Sequence, residues 1–298
     1  MALAEIATDV KAVTKEKKGV GPWRSALRRF LRNKSALAGL ILIAFFVGAA
    51  VFAPYIAPYD PLIPDLKNRL APPSAAHLLG TDYMGRDILS RIIYGARISL
   101  RVGLITVSIA LVVGTLMGML AGYYGRIWDT IIMRFTDIML AFPSTLLAIA
   151  IMAILGPKLI NAMIAIGVVQ IPQFARIVRS SVLSVKEFEY VDAARALGLK
   201  NGPIIFKHLL PNSLAPIIVQ ATLSVATAII ETAGLSFLGL GAQPPTPEWG
   251  AMLADSRAYL RIAPWTVAFP GLAILIATMG MNLIGDGLRD ALDPRMKE

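Results

Sequence analysis

Cysteine is absent from this chain, histidine occurs only twice, at His77 and His208, and charged residues make up 16% of the sequence. Each shortage excludes something. Without thiols there are neither disulfides nor thiolate metal centres. Two histidines distant in sequence supply no metal-ligand set and no nucleophile–base pair, which argues against an enzyme. No G-x-x-x-x-G-K-[ST] phosphate loop occurs, so the chain is expected not to bind ATP itself. Soluble domains usually carry about a quarter charged residues, and here the deficit is concentrated in long uncharged stretches.

Those stretches are the main feature of the sequence. Hydrophobic residues are 56% of the chain, and six runs carry no charge: 35–59, 102–125, 138–157, 159–175, 209–230 and 262–285. A helix rises about 1.5 Å per residue, so roughly 20 residues cross a hydrocarbon core of about 30 Å. Five runs reach that length, and the fourth does so with its flanks. The sequence therefore predicts an all-α membrane protein with about six transmembrane helices, at 35–57, 98–123, 129–155, 159–180, 212–238 and 264–287. Pro143 and Pro172 fall inside the third and fourth, where they are expected to kink the helix. Between the first two spans, Pro58, Pro61, Pro64, Pro72 and Pro73 exclude a long helix, and a short helix over 86–97 is expected to feed the second span. The first run is longer than a signal-peptide core and follows a polar lead, so it is read as a retained span.

The net charge of +10 could indicate nucleic acid, but its placement fits insertion better. If the N-terminus is cytoplasmic and the spans alternate, 20 of the 29 Lys and Arg lie on the inner side and 9 on the outer. Nine of the inner group, from Lys11 to Lys34, precede the first span. This asymmetry predicts that both termini are cytoplasmic and that no nucleic acid is bound. Trp23, Ala26, Leu27, Phe30 and Leu31 recur at helical spacing among arginines. That pattern suits either a helix lying in the lipid interface or the basic flank of the first span.

Few charges fall inside the predicted spans. Glu231 is the one acid deep in a span, and such residues normally face a cavity or a partner. It could line a pathway or bond to a second subunit. Arg134 and Asp137, three apart on one helix face, are expected to pair. Asp286, Arg289, Asp290 and Asp293 suggest local ion pairs at the inner end of the last span.

The segment 181–211 between the fourth and fifth spans is the most informative. It reads Glu189-Tyr-Val-Asp-Ala-Ala-Arg-Ala-Leu-Gly198, then twelve residues to Leu210, then Pro211. Two short helices are expected. The first runs over 186–197 and closes at Gly198 in a left-handed conformation; the second is capped by Asn201 with Pro203 in its first turn. Ala193 and Ala194 would be exposed on a compact helix-turn-helix, suited to docking.

Asp192-Ala193-Ala194, with Gly198 and then Leu210-Pro211, resembles the coupling loop (EAA motif) of ABC importer permeases. Nearly the whole chain resembles the second permease of dipeptide, oligopeptide and nickel transporters. The resemblance extends through Gly80-Thr-Asp-Tyr-Met-Gly-Arg-Asp-Ile-Leu-Ser-Arg91, Phe135-Thr-Asp-Ile-Met-Leu-Ala-Phe-Pro143, Glu231-Thr-Ala-Gly-Leu-Ser-Phe-Leu-Gly-Leu-Gly241 with Pro245-Thr-Pro-Glu-Trp-Gly250, and the segment Asn282 to Arg295. Asp192 stands where Glu is usual and keeps its charge; His208 stands where Ile is favoured. The resemblance implies a type I ABC importer permease fold in a bacterial inner membrane, with Glu189, Asp192, Ala193, Ala194, Gly198, Leu210 and Pro211 coupling to a separate ATPase. It implies a core permease domain over 98–290, an N-terminal cytoplasmic tail over 1–34, a periplasmic segment over 58–97 and a cytoplasmic tail over 291–298. It also implies a homologous second permease, two ATP-binding subunits that hold ATP and Mg, and an extracytoplasmic substrate-binding protein. Glu231, Asp137 and Arg134 are its candidate pore or interface residues. Peptide is the expected substrate, with nickel or glutathione as alternatives. An ion-coupled secondary transporter, the rival class, would want more buried acids and an internal repeat.

Overall fold

The computed structural model describes residues 22–292, apart from the side chains of Pro22 and Trp23. The expectations for 1–21, for the Trp23 side chain and for Asp293 and the tail beyond it lie outside the described residues. Among the described residues every regular element is helical except one isolated bridge between Thr81 and Asp87. Apart from two short 3-10 helices, Leu66–Asn68 and Arg257–Tyr259, these are in chain order α1 (Pro22–Arg32), α2 (Lys34–Ile56), α3 (Ile88–Tyr124), α4 (Arg126–Leu140), α5 (Ser144–Leu155), α6 (Leu159–Val185), α7 (Glu189–Ala196), α8 (Asn201–Phe237), α9 (Trp249–Ser256) and α10 (Trp265–Leu292). α2, α3, α6, α8 and α10 are long and apolar enough to cross a membrane. A sixth crossing requires α4 and α5 together, across a 94° bend.

That bend corrects the continuous span expected over 129–155. Pro143 takes an extended conformation, φ −55° and ψ 133°, with no amide hydrogen to donate and a restricted residue before it. α6 continues unbroken through Pro172, which is buried against its neighbours. The short helix expected over 86–97 is also corrected. It is the first turns of a single 37-residue helix, α3, capped where the Asp87 carboxylate accepts from the Ser90 amide. At about 1.5 Å per residue, α3 is close to 55 Å long and extends well beyond a bilayer core.

The most extensive helix pair is α3 on α6, and small residues bring it together. Gly114, Gly118 and Gly122 lie one turn apart along α3. A Cβ on them would meet Phe174 Cβ at 2.5 Å, Ala175 O at 2.6 Å and Val182 Cβ at 2.8 Å. Lipid tails are as apolar as leucine, so membrane helices associate through close van der Waals packing, which small residues permit. α8 packs on both members of this pair, α10 packs on α8, and α2 crosses α10 and α3 at the edge.

One end of the bundle is closed by the segment 57–87 and by the loop and short helix α9 that precede α10. The motifs Gly80 to Arg91 and Pro245 to Gly250 meet there. The fully buried Arg91 donates to the carbonyls of Pro61 (3.0 Å) and Pro245 (3.3 Å). Asp82 pairs with Arg86 at 2.7 Å and lies 3.5 Å from Arg91, and Asp255 stands 3.9 Å from Arg86, so two arginines face two carboxylates. The indole of Trp249 is buried and donates to Ile92 O at 3.1 Å. The Glu248 carboxylate, 2% exposed, caps α9 by accepting from the amides of Gly250 and Ala251. Burial raises its pKa, because the charged form loses solvent, although the two amide bonds oppose the shift.

At the other end, α1 lies against α10. Ala26 is buried, Phe30 packs with Ala36 and Ala291, and Leu27 and Leu31 remain exposed. Asp290 accepts from Asn33 Nδ2 at 3.2 Å. Among the described residues no ion pair forms between Asp286, Arg289 and Asp290, and Asp290 turns towards the start of α2 instead; a pair between Arg289 and Asp293 lies outside the described residues.

Candidate functional site

Two features of the bundle could carry function: the loop joining α6 to α8, and a polar cavity between α4, α6 and α8.

The loop is built by a helix and a turn. α7 is eight residues long, and it closes with the paired bonds of a Schellman motif: Leu199 N donates to Ala194 O at 3.1 Å and Gly198 N to Arg195 O at 2.9 Å. Gly198 has φ +77°, the left-handed geometry expected from the sequence. Val191 and Ala194 point inward, into a cluster with Val178, Val182, Val185, Ile204 and Leu209. Ala194 is therefore buried, a correction to the exposed pair expected; one turn of helix puts Ala193 and Ala194 on different faces. The outward face carries Glu189, Asp192, Ala193 and Leu197, flanked by Phe188 and Tyr190. Asp192 holds Arg195 at 3.1 Å, and the Arg195 guanidinium stands over the Tyr123 ring.

The second element differs from expectation. Asn201 does not cap it: Lys200 is the cap residue, and the Asn201 carboxamide accepts from Tyr123 Oη at 2.8 Å, tying the loop to the end of α3. Nor is it a short helix. It runs directly into the fifth long span as α8, through a π-helical stretch, Ile204–Leu209, just before Leu210 and Pro211. Pro211 cannot donate to the carbonyl four residues back, and the wider π turn sits where that bond would be missing. Leu210 is half-buried against the same apolar cluster that holds α7. α7 and the start of the spanning helix α8 thus share one packed cluster.

The cavity, of about 510 Å³, lies between the middle of α6 and the last third of α8. Its polar lining is Ser144, Gln170, Gln173, Arg176, Thr227 and Glu231. Gln170 Nε2 donates to the Glu231 carboxylate at 3.4 Å. Arg176 donates to Asp137 at 2.6 Å, and both side chains are about half exposed on this chain. The pair expected between Arg134 and Asp137 does not form. α4 and α6 run side by side, so Asp137 meets Arg176 and Asp129 meets Arg179 in a two-pronged bond, while Arg134 is exposed. A charge at mid-membrane costs roughly 2.5–3.5 kcal/mol on insertion scales. Glu231 and Arg176 avoid that cost only by facing water or polar partners. Gln170, Gln173 and Arg176 were missed from the sequence, although their three-residue spacing places them on one helix face.

Comparison with known proteins agrees with this architecture. Residues 114–298 match the family described as binding-protein-dependent transport system inner membrane component, and 21–73 match the N-terminal transmembrane domain of oligopeptide transport permease C. The chain is 59% identical to the dipeptide transport system permease protein DppC of Alkalihalophilus pseudofirmus, over 93% of this chain and 91% of that one. It is 51% identical to the di/tripeptide transport system permease protein DppC of Pseudomonas aeruginosa, over 93% of both. It is 46% identical to the glutathione transport system permease protein GsiD of Pectobacterium atrosepticum, over 96% and 95%. The inward-facing MetNI methionine ABC transporter shares the fold at a TM-score of 0.56 and 20% identity, over 69% of this chain and 98% of that one. The chain belongs to the binding-protein-dependent transport system inner membrane components: it is a non-catalytic, multi-pass permease subunit of an ABC importer with the type I permease fold.

Proposed function

We propose that this chain is the second permease of an importer for di- and oligopeptides. It forms half of the translocation pore beside a homologous permease. α7 seats in a cleft of one of two ATP-binding subunits, which carry the ATP and Mg, and a substrate-binding protein docks at the opposite end. ATP-driven closure of the ATPase pair draws the two coupling helices together and turns the pore towards the binding protein; hydrolysis resets it. The observation that carries the coupling role is the joint itself: an exposed face on α7, a left-handed Gly198 and a second helix continuous with a spanning one. The names of the relatives support peptide as substrate. The GsiD relatives favour glutathione as the second reading.

The test is reconstitution of the complete transporter in liposomes with its binding protein. Dipeptides are expected to stimulate ATP hydrolysis and accumulate inside. Stimulation by glutathione alone would select the second reading, and stimulation by neither would reject both.

In this reading both termini are cytoplasmic. Because cysteine is absent, single cysteines can be placed at Glu5, Asn68, Thr246 and Lys297 and probed with an impermeant thiol reagent in cells with a permeabilised outer layer. Labelling is expected at 68 and 246 only. Labelling at 5 or 297, or protection at 68 or 246, would reverse the orientation.

A further inference from the structure

We infer that the cavity between α4, α6 and α8 is a substrate site that holds a short peptide by its two charged ends, with Glu231 receiving the ammonium group and Arg176 the carboxylate. This rests on the peptide-importer reading above and adds the chemistry by which the pore would recognise its cargo.

Three observations carry it. First, the cavity holds one acid and one base. Glu231 and Arg176 both line it, each on a helix long and apolar enough to cross a membrane. Secondly, their spacing suits a short peptide. Glu231 lies beside Gln170, and Arg176 follows Gln170 by six positions on α6, an axial separation of about 9 Å. An extended chain spans about 3.3–3.6 Å per residue, so two or three residues cover that distance between their termini. Thirdly, the positions between the two charges suit a peptide backbone. Gln173 and Thr227 line the same space, and both can donate and accept. Gln170 is 6% exposed, and its carbonyl oxygen has no hydrogen-bond partner, leaving spare acceptor capacity beside Glu231.

The side chains already in place do not use up these charges. Glu231 is held only by neutral groups, the Gln170 amide at the long distance of 3.4 Å and the Ser144 hydroxyl. Arg176 meets Asp137 through one nitrogen, and the pair is half exposed. A guanidinium has five donors in a planar fork, so it can keep Asp137 and still take a carboxylate. A peptide with both termini free would then make a charge-assisted bond at each end. A peptide blocked at one end would lose one of them.

The assembled permease–ATPase complex, purified in detergent without nucleotide and without binding protein, offers the cleanest test. Binding of Ala-Ala, N-acetyl-Ala-Ala and Ala-Ala amide is measured by saturation-transfer NMR titration. Ala-Ala is expected to bind, and each blocked form to bind about tenfold or more weakly, as follows from losing one charge-assisted bond. Glu231→Gln should weaken Ala-Ala to a similar extent while leaving N-acetyl-Ala-Ala as in the parent. Arg176→Gln should weaken Ala-Ala while leaving the amide unchanged. Asp137→Asn removes the contact between α4 and α6 but keeps the guanidinium, so it should bind Ala-Ala at least as well as the parent. Equal binding of all three probes, or no binding by the parent, would overturn the site. So would a loss in Asp137→Asn matching that in Arg176→Gln. Uptake by the parent transporter is measured alongside: if it imports dipeptides and this site fails, only the site is wrong, whereas failure to import any peptide removes the underlying reading.

Discussion

Replacing Gly198 with valine is expected to abolish transport while the chain still reaches the membrane at near-parental abundance. A Cβ at Gly198 meets nothing within 4 Å, so the substitution creates no clash with a neighbour. Its cost is conformational. With φ at +77°, an L-residue is strained by roughly 1–2 kcal/mol, and a β-branched one adds crowding. The chain can relieve that strain by unwinding the paired bonds from Leu199 and Gly198 back to α7, which changes the angle at which α7 is presented. The spans on either side are untouched, so insertion should persist. Gly198→Asn is the discriminating control, since asparagine visits the left-handed region at lower cost and should retain most transport. Asp192→Lys reaches the same end by another route. The Asp192–Arg195 pair is exposed and worth at most about 1 kcal/mol, so folding should barely change while the charge of the docking face reverses. Both losses should appear together as failed transport and as ATPase subunits that no longer co-purify. Parental transport in Gly198→Val and Asp192→Lys, with partners still bound, would remove the loop from the coupling mechanism.

How far this could be read from the sequence depended on how local the cause was. The spans were legible because hydrophobic length is local and a bilayer sets its scale; α2, α6 and α10 begin within a residue of expectation. The turn at Gly198 was legible because a left-handed helix end selects glycine within a few residues. Pro143 and Pro172 read alike in sequence, yet one breaks a span by 94° and the other lies in an unbroken helix. The difference lies in what packs around each, and only the folded bundle decides that. The partner of Asp137 was misread for the same reason. Arg134 is its neighbour along the helix, whereas Arg176 arrives from α6, and a fixed helix beside it prevailed over a local pair. The cavity followed from that arrangement. Glu231 was recognisable alone, but Gln170, Gln173 and Arg176 gained meaning only once α6 faced α8.

The glycines of α3 show the same limit and carry the largest expected effect on stability. Gly114, Gly118 and Gly122 form a small-residue stripe that any reading of α3 could have noted, but not that α6 is what it touches. Gly118→Val is expected to destabilise the bundle by about 3 kcal/mol or more and to lower the yield of monodisperse protein severely. A Cβ at Gly118 would stand 2.6 Å from Ala175 O and 2.7 Å from Val178 Cβ. The first of these is backbone in the middle of a regular helix and cannot swing aside as a side-chain tip could. Overpacking a tight contact typically costs about 1–3 kcal/mol, and valine adds two further methyl groups to the clash. Separating the helices would also open contacts on either side of the substitution, at Gly114 and Gly122, because α3 and α6 are rigid over this length. Gly48→Val provides the control: it lies in α2, itself a spanning helix, and its Cβ would meet nothing within 4 Å. Its yield and melting temperature should stay near those of the parent. The measurement is fluorescence-detected size-exclusion chromatography with a thermal ramp on all three proteins. A Gly118→Val protein that elutes and melts with the parent would mean that α3 and α6 can move apart without penalty, and that the close contact between them does not hold the bundle together.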